Sequence, residues 1–324
     1  MMNDNPINFN DMKMPETLLG PVLVTQAETK TSAAGKRYSF FTICDGTTSV
    51  DARYFEKTIE EIPFLTKIPC VMTVRITKQL YNGGPSYLIN EVFEAPADKN
   101  IRDFVVRSEF DPEEMYGKIS KYVHSVSEEG DVLAEIFDRI WEEQKEKLLY
   151  WGAAKAVHHN FYAGLLQHTL EVVYNAYSAI KIIKDIDKPA VIVGAALHDI
   201  GKLEELSTNA LGVSDYTMEG RLLGHLYLGC EMVDRIVMKD PDRFLGEENR
   251  LRILNLKHII ACHHSEREWG AIQIPATAEC LVVCKADQMS ADLEQARKAL
   301  AGKKAGEESD KVFGLGNIPL YKLY

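Results

Sequence analysis

The sequence predicts a two-domain protein, a small closed β-barrel followed by an all-α domain. Three observations carry this reading. Residues 17–97 alternate apolar and polar residues in short runs broken by Gly and Asp, the period of half-buried strands. At Pro96-Ala97-Asp98-Lys99-Asn100 the pattern breaks, and beyond it the apolar spacing is that of helices. A length of 324 residues is also comfortable for two domains.

Residues 1–16 are polar and rich in Met, Asn and Pro, and read as a loose N-terminal arm. GPVLVTQAETKT alternates up to a break at SAAGK, and KRYSFFTICDG ends in Asp45-Gly46, a hairpin turn signal. TTSVDARYF resumes the strand pattern, and TIEEIPFL crosses as a short helix or loop. PCVMTVRITKQLYNGGPSYLINEVFEA then gives two strands around Asn82-Gly83-Gly84. Five strands with one interruption between the third and fourth suit an OB-type barrel over 17–97. Residues 98–110 read as a linker. Asp111-Pro112-Glu113-Glu114 starts a helix, with a capping acid, Pro in the first turn and acids at the positive end. Helical patterns follow at 111–127, 130–150, 163–184, 189–204, 219–238, 248–264 and 276–301, together a helical domain over 111–301. The tail, 302–324, is linker-like, and its last apolar residues are free to dock on the domain or on a neighbour.

Composition bounds the function. With 46% hydrophobic and 26% charged residues the chain is of the ordinary globular kind. No apolar run approaches the roughly 18 residues of a membrane span, so no membrane association is expected. The N-terminus lacks the basic-then-apolar order of a signal peptide. The six cysteines form no CxxC pair and sit mostly in apolar segments, as reduced thiols of a cytoplasmic protein do. A net charge of −11 argues against non-specific coating of duplex DNA. That charge is uneven. Residues 17–97 hold eight basic and eight acidic residues, so the remaining 29 basic and 40 acidic residues account for all of it.

The chemistry is concentrated in the helical part. Ligand-type residues recur in order: His168 in GLLQHTLEVV, His198-Asp199 in AALHDIGK, His225 in LLGHLYLG, His263-His264 in IIACHHSE, and Asp287 in VCKADQMS. Each falls in its own predicted helix, on or beside an apolar stripe, so a bundle can aim them all at one interior site. A lone histidine on an apolar face is usually a hydrogen-bonded core residue. Five helices that each deliver a ligand-type residue on their apolar side are a different matter, because unpaired buried polar groups are costly. Imidazole with carboxylate suits Mn²⁺, Fe²⁺, Co²⁺, Ni²⁺ or Zn²⁺. Asp199, next to His198, is placed to bridge two ions, and two ions can clamp a phosphodiester during in-line displacement. Lys202, one turn beyond His198, puts an ammonium beside any bound phosphate. Either His263 or His264, or both, can be a ligand; His124 and His258 read as structural.

His168, His198-Asp199-Ile200-Gly201-Lys202, His225 and Asp287 resemble the HD-domain metal-dependent phosphohydrolases, over residues 150–290. The resemblance implies that His168, His198, Asp199 and Asp287 hold one metal, and that Asp199, His225 and His263 or His264 serve a second. After the paired histidines the chain reads HHSEREWG, without the GYP of cyclic-di-GMP phosphodiesterases. Just upstream, Trp151, His158, His159, Asn160, Phe161, Tyr162 and Gly164 cluster ahead of His168. They read either as an aromatic-packed helix start or as groups that stack on and hydrogen-bond a terminal nucleotide. HHNFYAGLLQHTLEV is similar to the same stretch of the YhaM-type 3′-to-5′ exoribonucleases, an OB fold joined to an HD domain, and the likeness runs nearly end to end. It implies Mn²⁺-favoured removal of nucleotides from the 3′ ends of single-stranded RNA, with single-stranded DNA as a further substrate class.

In the barrel, Lys36, Arg37, Tyr38, Phe40 and Phe41, then Arg53, Tyr54 and Phe55, mix cations with aromatics. Exposed aromatics between cations would stack bases while Lys and Arg follow phosphates. Most of these rings are expected in the core, and Arg37, Arg53 and Tyr54 are taken as strand contacts. Two other functions compete: an HD-type phosphohydrolase of free nucleotides, and an inactive nucleic-acid-binding adaptor. A homo-oligomer is left open by the sequence.

Overall fold

The computed structural model describes residues 7–81, 83–154 and 161–324. The chain divides into two compact units, residues 1–107 and 108–324.

The first unit is a five-stranded closed barrel of OB type, with strand order β1-β2-β3-β5-β4. The strands are β1 (Glu16–Thr31), β2 (Arg37–Cys44), β3 (Ser49–Tyr54), β4 (Cys70–Tyr81) and β5 (Gly84–Glu94). Closure depends on the length of β1, which pairs with β4 over its first half and with β2 over its second. A register shift between Val24 and Gln26 marks the bend between the two halves. Val22, Val24, Phe41, Ile43, Met72, Val74 and Ile76 fill the interior. At the β2–β3 turn the Asp45 carboxylate accepts the Thr47 and Thr48 amides, and Gly46 takes φ +101°.

Two expectations change here. From residue 7 onward the polar N-terminal arm is not loose: Ile7, Phe9 and Met12 are buried in the barrel core, and Lys78 Nζ donates to the Met12 carbonyl at 2.8 Å. Tyr54 is not at the surface either. It is 5% exposed and packs in the core beside Ala52, because residues two apart on a strand share a face. Arg53, facing the other way, lies over the Phe40 ring at 6.0 Å, and Lys30 Nζ lies 3.5 Å from the same ring. Arg37 is exposed and paired with Glu60 at 3.3 Å.

The second unit is helical: α1 (Pro112–Val126), α2 (Val132–Glu143), α3 (Lys145–Leu148), α4 (Gly164–Ile180), α5 (Lys188–Leu197), α6 (Lys202–Glu205), α7 (Met218–Lys239), α8 (Glu247–Cys262) and α9 (Ala278–Leu300). Side chains of Asp111, Asp131, Asp187, Thr217 and Thr277 cap five of these. Arg252 of α8 joins two of the caps, reaching Asp187 at 2.7 Å and Asp131 at 2.9 Å. From Ala190 to Leu197, α5 is wholly buried. It packs against α4, α8 and α9, which brings the ends of those helices together. A short hairpin, β6 (Leu206–Thr208) with β7 (Ser214–Tyr216), was not read from the sequence. Among the described residues no helix is long and apolar enough to cross a membrane.

Candidate metal centre

His198 and His263 each sit at the C-cap of a helix, α5 and α8. There the carbonyl three residues back has no helical partner, and each ring uses it. His198 Nδ1 donates to the Ala195 carbonyl at 2.8 Å, and His263 Nδ1 to the Ile260 carbonyl at 3.0 Å. The negative ends of two helix dipoles thus face the same place, which favours a cation there. Asp199 follows His198 directly, on the turn between α5 and α6. Gly201 in that turn is required by close approach: a Cβ would lie 2.0 Å from the His225 carbonyl oxygen.

The other imidazoles are held in the same sense. His168 on α4 donates through Nδ1 to Ser290 Oγ at 3.0 Å, and Ser290 donates onward to Glu171 at 2.6 Å. His225 Nδ1 donates to Glu205 at 3.0 Å, whose carboxylate also accepts the His225 amide. His264 Nδ1 donates to the Trp269 carbonyl at 2.9 Å. Since each of these partners accepts, all five rings carry a proton on Nδ1 and, in the neutral form that a ligand needs, turn a bare Nε2 inward. His225 reaches its place through a break in α7, where Gly224 adopts φ +73° and ψ 157°.

The inward atoms form two groups around one carboxylate. His168, His198 and Asp287 make the first, and His225, His263 and His264 the second. Asp199 Oδ2 lies 3.4 Å from His198 Nε2 and 3.5 Å from His168 Nε2, while Oδ1 lies 3.4 Å from His225 Nε2 and 3.5 Å from His263 Nε2. Asp287 Oδ1 is 3.0 Å from His168 Nε2. Lys202 Nζ contacts Asp199 Oδ2 at 2.7 Å. Its ammonium therefore faces a carboxylate as well as the cavity.

This arrangement fits divalent metal. The Nε2 atoms of His168 and His198 are 3.2 Å apart, and those of His225 and His264 are 3.3 Å apart. With both rings neutral and their protons on Nδ1, lone pair faces lone pair, which a cation between them relieves. Asp199 Oδ1 is buried without a hydrogen-bond partner among the described residues, in a position to ligate. The electrostatics agree. Burial drives His263 down to about 3 and lowers His168 and His264, keeping these rings neutral as ligands must be. Burial alone would raise Asp199, but Lys202 and His198 outweigh it and hold the carboxyl well below the usual range. Burial likewise opposes Glu205 ionisation, and the hydrogen bonds from His225 reverse that.

All the proposed ligands in the sequence are thus brought to one place, with His263 and His264 both in the second group. Glu205, Ser290 and Glu171 were not singled out; their spacing carries no motif, and only the fold sets them behind the ligands. His158, His159 and Asn160 lie outside the described residues. Trp151 and Phe161 are buried, which favours packing over base stacking, and Trp151 Nε1 donates to the Lys202 carbonyl at 3.1 Å. His258 is structural: its Nε2 accepts the Ala276 amide at 2.9 Å.

Residues 165–292 match the HD domain family. Over 314 residues the chain is 27% identical to the 3′-5′ exoribonuclease YhaM of Listeria monocytogenes serotype 4b (strain CLIP80459), covering 96% of each chain. It is 26% identical to the protein of the same name from Listeria welshimeri serovar 6b, again over 96% of each. With that of Oceanobacillus iheyensis the identity is 25%, over 94% of this chain and 93% of the relative. The HD domain match and the clustered histidines and aspartates make this a divalent-metal site.

Proposed function

We propose that this chain, which carries an HD domain and is similar from end to end to the YhaM exoribonucleases, is a metal-dependent 3′-to-5′ exoribonuclease acting on single-stranded RNA. The observation that carries the reading is Asp199, one carboxylate set between two imidazole groups at the floor of an open cavity of about 470 Å³. His168, His198, Asp287 and Asp199 Oδ2 would hold one ion, and Asp199 Oδ1, His225, His263 and His264 a second. Bound there, two divalent ions (Mn²⁺ favoured, with Co²⁺, Fe²⁺, Ni²⁺ or Zn²⁺ as alternatives) would polarise the phosphodiester and supply an activated water.

The protein's own groups do the rest. Glu205, Ser290 and the three carbonyls fix the imidazole tautomers, so that every Nε2 stays a bare donor atom. Lys202 balances Asp199 and stands at the cavity wall, where its ammonium offsets charge developing on phosphate oxygens. His158, His159 and Asn160, immediately ahead of the His168 helix, are proposed to touch the 3′ end. On the barrel, Arg37 and Arg53, with the Phe40 ring between Lys30 and Arg53, are proposed to guide the strand; Tyr54 is withdrawn from that role by its burial. A charge-neutral barrel makes this a loose guide. Six free thiols accord with a reducing, cytoplasmic setting.

Phosphate release from free nucleotides, measured beside shortening of RNA and DNA oligomers with Mn²⁺, tests the substrate class. Shortening of single-stranded RNA with free nucleotides untouched supports the proposal. Turnover of free nucleotides alone would replace it with a nucleotide phosphohydrolase. Light scattering of the same preparation would show whether the chain forms a homo-oligomer.

A further inference from the structure

The cavity over the metal centre has two aromatic residues that the ligand set does not explain. Trp269 and Phe313 line it together with His264, Lys202 and Asp287. Both rings are left largely in water, Trp269 at 61% and Phe313 at 91% exposure. Large exposed apolar side chains at the rim of a polar, charged cavity mark a ligand surface rather than packing.

Neither ring hangs on a free strand. Trp269 belongs to a 3-10 turn (Arg267–Trp269) whose carbonyl holds His264 Nδ1 at 2.9 Å, so the indole is anchored one residue's reach from a ligand. Its turn is closed by the Trp269 and Ala271 amides donating to the Glu266 carbonyl, each at 3.1 Å. Phe313 starts another short turn in the C-terminal tail, where Val312 bridges to Ile318 and Glu308 to Tyr321. The Gln295 side chain of α9 lies flat against Gly314, so closely that a Cβ there would meet its Oε1 at 1.9 Å. Gly314 therefore seats the turn on α9 and presents Phe313 to the cavity.

We propose that Trp269 and Phe313 are stacking platforms for the bases at the 3′ end of the strand whose terminal phosphodiester lies over Asp199. This rests on the exoribonuclease reading and adds to it how the end is gripped. Aromatic faces accept any base, so the platforms give grip without sequence preference. They position the strand and take no part in proton or phosphoryl transfer.

The test uses two 5′-labelled RNAs of equal length, one normal and one with three abasic residues at its 3′ end. The wild-type protein is expected to remove terminal units from the normal RNA about 5- to 150-fold more efficiently in kcat/KM. Trp269→Ala and Phe313→Ala are each expected to reduce that preference, chiefly through KM, and Trp269→Phe to retain it. Both side chains are exposed, so circular dichroism should be unchanged. Equal wild-type rates on the two RNAs, or a full preference in both alanine variants, would overturn the platforms while leaving the exoribonuclease reading intact. Failure to shorten either RNA would overturn both.

Discussion

Asp199 Oδ1 lies 3.4 Å from His225 Nε2, across the gap between the α5–α6 turn and α7. That contact ties the second imidazole group to the carboxylate whose other oxygen faces the first. It depends on two residues outside the ligand set: Glu205, which holds the His225 ring, and Gly224, which turns the chain into it.

Glu205→Gln keeps the volume of the side chain but lets the amide present a donor to His225 Nδ1. The ring is then free to change tautomer or rotate. We expect activity with Mn²⁺ to fall about 10- to 100-fold, in the range seen for groups behind metal ligands, with a matching weakening of metal binding. Titration of Mn²⁺ against activity checks this; an unchanged half-saturating concentration would remove Glu205 from the positioning role.

Gly224→Ala places a Cβ at φ +73°, ψ 157°, a region almost reserved for glycine. Nothing lies within 4 Å of that Cβ, so the cost is backbone strain alone, about 1–3 kcal/mol. A lowered midpoint in urea, with activity lost beyond what unfolding explains as α7 relaxes, is the expected outcome. Full stability would mean that the break in α7 needs no glycine.

Removing the metal should expose a pH dependence with a definite sign. In the folded chain His263 takes a proton only near about 3, whereas the unfolded chain takes it near about 6.5. Between those values the unfolded state binds more protons, so stability falls as pH drops. His168 and His264, also lowered by burial, act in the same direction. At His198 burial again lowers the value, but Asp199 and Asp287 outweigh it, so this one ring gains stability in acid. The Asp199, Asp287 and Glu205 carboxyls, held low in the folded chain, also lose stability as the pH falls, and together with His263 they set the sign. Chelator-treated protein is expected to melt at progressively lower temperature from pH 7 to pH 5; a flat or rising melting temperature would contradict it.

How much of this was legible follows from what carries each feature. The ligands could be read because each is a chemically distinctive residue on an apolar stripe, and helical spacing alone turns such a stripe inward. Glu205 could not, since Glu204 beside it looks the same and pairs with Arg235. The orientation of Glu205 is set by α7, distant in sequence. The barrel's strands were visible from alternation, but Arg53 and Tyr54 were both taken as contacts although neighbours on a strand face opposite ways. The N-terminal arm misled through composition. Ile7, Phe9 and Met12 are scattered among polar residues there, and only their packing with the barrel's interior makes them core.

The central claim is that Asp199, between its two imidazole groups, serves removal of nucleotides from a 3′ end. The most direct measurement follows a 5′-labelled single-stranded RNA with Mn²⁺ on a sequencing gel, for wild type and Asp199→Asn, with metal content determined on both. The wild-type protein should generate a ladder that shortens from the 3′ end. Asp199→Asn, with its shape kept and its bridging charge lost, should leave the RNA intact and retain less metal. A ladder of equal rate from Asp199→Asn, or wild-type protein that binds no metal and leaves the RNA whole, would contradict the account.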